Sequence, residues 1–80
     1  MEYGAYILFS EKLGKYYVGF TSDIEKRLAH HNSSQDHFSK KGVPWVLILF
    51  IPCGDKLSAM DLERKIKNKG ARRFLDTKGT

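Results

Sequence analysis

"AYILFSEKLGKYYVGF", residues 5–20, is the stretch on which the fold turns. Two runs rich in aromatic and β-branched residues, 5–9 and 15–20, flank "SEKLG", and Gly14 can take the positive φ that a tight reversal needs. The spacing predicts a β-hairpin in which Ser10 pairs with Lys15 and Leu8 with Tyr17. Period-two alternation then puts Tyr6, Leu8, Tyr17 and Gly19 on one face, and Ile7, Phe9, Tyr16, Val18 and Phe20 on the other. The second set is the more apolar, so it is expected to carry the core. The first face is left for something polar.

Outward from the hairpin, "TSDIEKRLAHHN" (residues 21–32) predicts a short helix over 22–31. Ser22 and Glu25 stand at capping-box spacing, and Asn32 is its terminator. Ile24, Arg27, Leu28 and His31 recur at i, i+3, i+4 and i+7, which puts Arg27 and His31 on the inward stripe. Residues 33–43 are polar and read as loop. "PWVLILFIP" (44–52) is apolar at nearly every position, as a strand covered on both faces would be. Ser58 and Asp61 repeat the capping-box spacing before a stripe of Ala59, Leu62 and Ile66, with Glu63 at its edge. Helices are expected at 58–68 and, past Gly70, at 70–75, and 77–80 as a disordered tail.

The expected fold is α/β: a small three-stranded sheet, made of the β-hairpin plus a third strand, flanked by helices in the order β-β-α-β-α-α. The first strand is expected at its centre. Eighty residues make a single domain over 1–80. A net charge of +5 favours an anionic partner, and six cations between Arg64 and Arg73 without an acid fit phosphate contacts. Lone Cys53 excludes an internal disulfide, and the three histidines, His30, His31 and His37, lack the paired spacing of zinc sites. No leader-like segment opens the chain, and the run 45–51 is too short to span a bilayer. A cytoplasmic location without membrane contact is the expectation.

"AYI" at 5–7, "YVG" at 17–19, "RLAHHN" from Arg27 and "AMDLERKIK" around Glu63 together resemble the GIY-YIG endonuclease domain, in particular its small stand-alone bacterial members related to the excision-repair nuclease subunit. The likeness runs from Tyr3 to Leu75. It implies hydrolysis of DNA phosphodiesters with one divalent ion, Mg2+ or Mn2+. It also implies roles: Tyr6 and Tyr17 as signature tyrosines, Arg27 on the phosphate, His31 one turn further, Glu63 as metal ligand, with Gly19 and Asn32 as structural members of the motif. Lys40, Lys41, Arg64, Lys65, Lys67, Lys69, Arg72 and Arg73 are the expected nucleic-acid contacts.

Spacing alone also permits Arg27 to pair with Asp23, and Glu63 with Lys67. Two positions depart from the pattern as read. Ala5 stands at the first glycine, and Phe20 follows "YVG" where several branches carry a basic side chain. These motivate an alternative, a catalytically inactive DNA-binding module of the same fold; a basic protein-interaction domain is a third reading. Nothing resembling a helix-turn-helix or zinc finger is appended, so structure-selective or weakly sequence-specific cutting is expected, in DNA repair or recombination, with a targeting protein partner as an open possibility.

Overall fold

The computed structural model describes residues 2–33 and 40–78. Strand β1 (Tyr3–Ser10) pairs antiparallel with β2 (Lys15–Thr21), helix α1 (Ile24–Asn32) follows, then strand β3 (Trp45–Gly54), helix α2 (Lys56–Lys69) and helix α3 (Ala71–Lys78). β1 lies at the centre of an antiparallel sheet ordered β2-β1-β3.

The hairpin forms in the predicted register. Ser10 faces Lys15 and Leu8 faces Tyr17, while Gly14 at φ 64 turns the chain and donates to the Ser10 carbonyl at 2.7 Å. Both faces of β1 are filled, and the face left for something polar receives His31 of α1. On one side Ala5, Ile7 and Val18 pack with Ile66 of α2, and Leu62, Ala71, Phe74 and Leu75 close around them. On the other, Tyr6, Leu8 and Trp45 form a second cluster with Tyr17, Leu28 and Ile24 of α1. A sheet this small can bury its central strand on both faces only if helices lie on each side, and α1 and α2 do this.

Four further expectations are corrected. The apolar third strand is not covered on both faces: exposure alternates along it, with Val46 and Ile48 exposed, and at the edge position that a central β1 implies, Pro52, which has no N–H to give a ladder, is tolerated because its outer side has no partner strand. α1 begins at Ile24, because Asp23 is the N-cap and accepts from the Lys26 N–H at 3.1 Å. Thr21 Oγ1 accepts from the Asp23 N–H at 3.1 Å, and this local turn sets the cap one residue past Ser22. α2 begins at Lys56, capped by Asp55, whose carboxyl is held below the usual carboxylate range by its hydrogen bonds with Ser58. α3 runs to Lys78, so Thr77, which donates to the Arg73 carbonyl at 2.8 Å, belongs to its last turn. His37 and most of the expected 33–43 loop lie outside the described residues, as do 79 and 80. Gly70, at φ 96, ends α2 as expected, its N–H donating to the Ile66 carbonyl at 2.8 Å.

Candidate active site

Tyr6 sits mid-strand in β1 and faces Gly19 of β2 across the ladder. A Cβ on Gly19 would come within 2.5 Å of the Tyr6 hydroxyl oxygen and 2.7 Å of its Cζ. The glycine of "YVG" is therefore the floor on which the Tyr6 phenol lies. Tyr17, diagonal to Tyr6 on the same face, stacks nearly parallel to it, with centroids 6.4 Å apart and planes 13° from each other.

The last turn of α1 delivers His31 into this pair. It is 1% exposed, its ring meets Tyr17 edge-on at 4.5 Å, and its Nε2 lies 3.2 Å from the Tyr6 hydroxyl. Trp45 closes the cluster, 6.0 Å from Tyr17 and 6.4 Å from His31. Asn32 holds that end of α1 in place: its Nδ2 donates to the Trp45 carbonyl at 3.1 Å and its Oδ1 accepts the Trp45 N–H at 2.6 Å. The asparagine read as a helix terminator is thus a side-chain clasp between α1 and the start of β3.

Burial pushes the Tyr6 phenol well above the ordinary tyrosine range. The neighbouring Tyr17 and Glu63 add to the shift, and Arg27 opposes it. Tyr6 is therefore a neutral phenol at every physiological pH and can donate to His31 Nε2. The same electrostatics put Arg27 and Glu63 within Coulombic reach of the cluster, from α1 and α2 respectively.

The predicted residues are not all inside the cluster. Tyr6, Tyr17 and His31 are in mutual contact. Arg27 is not on the buried stripe: it is exposed and lines a hollow at the start of α1 with Lys26, His30 and Asp23. A long side chain at stripe spacing can swing to solvent while its helix neighbours stay buried. Glu63 is half-buried on the sheet-facing side of α2, and its Oε2 is 3.4 Å from Lys67 Nζ, the i,i+4 pair that spacing permitted. Such a pair is worth about 0–1 kcal/mol, little enough for a competing cation to replace Lys67. Lys65 is similarly joined to Asp61 at 3.2 Å. Arg64 and Lys69 are exposed on α2, Lys40 and Lys41 are exposed ahead of β3, and Arg72 and Arg73 stand at the start of α3, so Gly70 splits the basic run over two helices.

Whether the residues fit a metal can be judged from the donors. Among the described residues no three of His, Cys, Asp and Glu gather as a ligand cage. Glu63 offers one hard carboxylate whose side chain keeps 20% exposure. That suits an ion of the Mg2+ type, which keeps several waters and takes one or two carboxylates plus substrate oxygens. Cys53 is a free thiol at the end of β3, donating to the Ile51 carbonyl at 3.3 Å.

The structure also relocates the first glycine of the signature. A Cβ at Gly4 would come within 2.5 Å of both the Ile51 carbonyl oxygen and the Phe50 ring, whereas Ala5 already carries its methyl in the core. A glycine is therefore needed at Gly4, the start of "GAY" (4–6), and the structure requires none at Ala5. Phe20 lies opposite Ala5 on the other face from Tyr17. Residues that sequence reading missed are Trp45, which walls the cluster, and Lys26 and His30, which share the Arg27 hollow; the i, i+1, i+4 spacing of Lys26, Arg27 and His30 was the available signal.

Comparison with known proteins is consistent with this geometry. The GIY-YIG catalytic domain matches residues 2–75. The chain is 35% identical over 71 residues to a UPF0213 protein of Streptococcus pneumoniae serotype 4, covering 86% of this chain and 72% of that protein. It is 38% identical over 58 residues to the UPF0213 protein YsiG of Lactococcus lactis subsp. lactis, covering 71% of this chain and 56% of that one. No solved structure matches. Among the described residues no helix is long and apolar enough to cross a membrane.

Proposed function

We propose, from the premise that this chain belongs to the GIY-YIG family of nuclease domains, that it is a divalent-metal-dependent DNA endonuclease whose site is built on Tyr6, Tyr17, Arg27, His31 and Glu63. The observation that carries this reading is geometric: Tyr6 and Tyr17 stack on one face of the hairpin, and His31 closes on both from α1, its Nε2 3.2 Å from the Tyr6 hydroxyl.

Cleaving a phosphodiester requires a water to lose a proton, a phosphorane-like centre to be neutralised and an oxygen to depart. Tyr17 is the general base. It is half-buried, lies beside Tyr6 without being sealed in, and takes the water's proton as phenolate. Arg27, exposed in its hollow, meets the phosphate oxygens and neutralises the charge that grows on them. Tyr6 is a positioning residue: kept protonated, it holds His31 by its hydroxyl and backs the Tyr17 ring. Glu63 would hold Mg2+ or Mn2+, which supplies Lewis-acid stabilisation of the departing oxygen. Structure-selective cutting, a repair or recombination setting and a cytoplasmic location belong to the same reading.

The test is nicking of supercoiled and branched DNA with Mg2+ or Mn2+. Wild type should cut, and Glu63→Gln should lose cutting while keeping DNA binding in EDTA. Arg27→Gln should lose both cutting and part of the binding. Wild-type protein that leaves single-stranded, duplex, branched and nicked DNA intact with either ion would refute the enzymatic reading. A Glu63→Gln variant cutting at the wild-type rate would refute this metal assignment.

A further inference from the structure

We propose that the groove along the free edge of β2 takes an unpaired nucleotide of the DNA, so that the preferred substrate carries a single-stranded segment next to the cut; this rests on the nuclease reading above. β2 is an edge strand, and the start of α3 lies beside it instead of another strand. Between them is an open groove of about 560 Å³. Tyr16 and Tyr17 line one wall, and Lys67, Arg72 and Arg73 the other, with no acid among the lining residues.

Its chemistry is that of a single-strand site. Sequence-tolerant binding of unpaired nucleic acid combines an aromatic ring on which a base stacks with cations that track the backbone. Tyr16 is 38% exposed, and its ring is braced by Phe9 at 4.8 Å and 50°, so an open aromatic face is held ready without a rotamer to be frozen on binding. Arg72 and Arg73 suit a phosphate, and Lys67 adds a third cation to the lining. A paired base has both its faces covered by its neighbours in the stack, so Tyr16 selects the unpaired one. Tyr17 lines the groove and also stacks on Tyr6, which makes the groove continuous with the candidate active site.

The experiment is fluorescence anisotropy in EDTA with three probes of one sequence: a single strand, a blunt duplex, and a duplex with a single-stranded arm. A parallel set carries 2-aminopurine in the arm as a stacking reporter. Wild type should prefer the single strand and the armed duplex over the blunt duplex and should change the 2-aminopurine emission. Tyr16→Ala should weaken single-strand binding about 10-fold and abolish the emission change, and Tyr16→Phe should retain both. Arg72→Gln with Arg73→Gln should reduce the slope of log affinity against log salt by about 1.4, two contacts at about 0.7 each for a single strand. Circular dichroism checks that each variant is folded. If Tyr16→Ala binds the single strand like wild type, or wild type shows no preference for unpaired DNA, the groove assignment is wrong while metal-dependent nicking by wild type leaves the nuclease reading standing. Absence of both binding and nicking for every DNA form overturns the two together.

Discussion

The two faces of β1 are made from alternate residues of one strand, yet they are built on opposite principles. The face carrying Ala5 and Ile7 is closed by aliphatic and Phe side chains from α2 and α3. The face carrying Tyr6 and Leu8 is packed around Tyr6 and His31, which bring buried polar atoms with them and join the Tyr6 hydroxyl to His31 Nε2. The first arrangement contributes stability through area removed from water. The second uses part of that stability to hold polar groups at fixed positions, and its tolerance for shape error is correspondingly small.

The comparison breaks most sharply at Ile66, which is fully buried against the aliphatic face. Ile66→Ala should cost about 2–5 kcal/mol in denaturant unfolding, from lost transfer energy and the cavity left behind. The His31 environment, followed by the imidazole NMR signals, should stay near wild type until the domain unfolds. Gly19→Ala probes the other face: its methyl has to displace the Tyr6 ring, so a loss of about 1–3 kcal/mol is expected together with a moved His31 signal. An unmoved signal would show that the glycine is not the floor of the site. The smallest effect is expected from Tyr6→Phe, which keeps the ring and removes the hydroxyl, at about 1 kcal/mol. Its pH dependence sharpens the contrast. Because the folded pKa of Tyr6 is raised, the unfolded chain loses this proton first, so its contribution is whole below about pH 10 and declines as pH rises above that. Wild type should therefore lose stability more steeply than Tyr6→Phe in the alkaline range, and parallel profiles would contradict the burial of a neutral phenol.

Much of this arrangement was legible in the chain. The hairpin register followed from Gly14 and from alternation, because a slip by one residue would exchange the two faces wholesale. The stripe of Ala59, Leu62 and Ile66 followed from helical period. The helix starts did not, because Asp23 beside Ser22, and Asp55 three residues before Ser58, offer the same cap geometry as those serines, and a local Thr21 turn decides in the first case. The open outer face of β3 was hidden, because a run apolar at nearly every position reads as covered on both sides while Val46 and Ile48 are exposed. Candidate site residues were recognised by type and order. Their neighbourhood was not, since Arg27 and His31 share the inward stripe by spacing, yet Arg27 is exposed and only His31 enters the tyrosine pair.

The Asn32 clasp has a consequence for how this domain can diversify. By supplying both a donor and an acceptor to the Trp45 backbone, the amide behaves as an extra peptide unit stitched onto the start of β3. It pins together the two ends of the intervening stretch, residues 33–44, at the point where that stretch leaves and rejoins the framework. Lengthening a tethered connection costs only about 0.6 kcal/mol per doubling. That stretch is therefore the part of the chain where insertions, and any recognition surface they bring, can accumulate without disturbing the register of His31 against the two tyrosines.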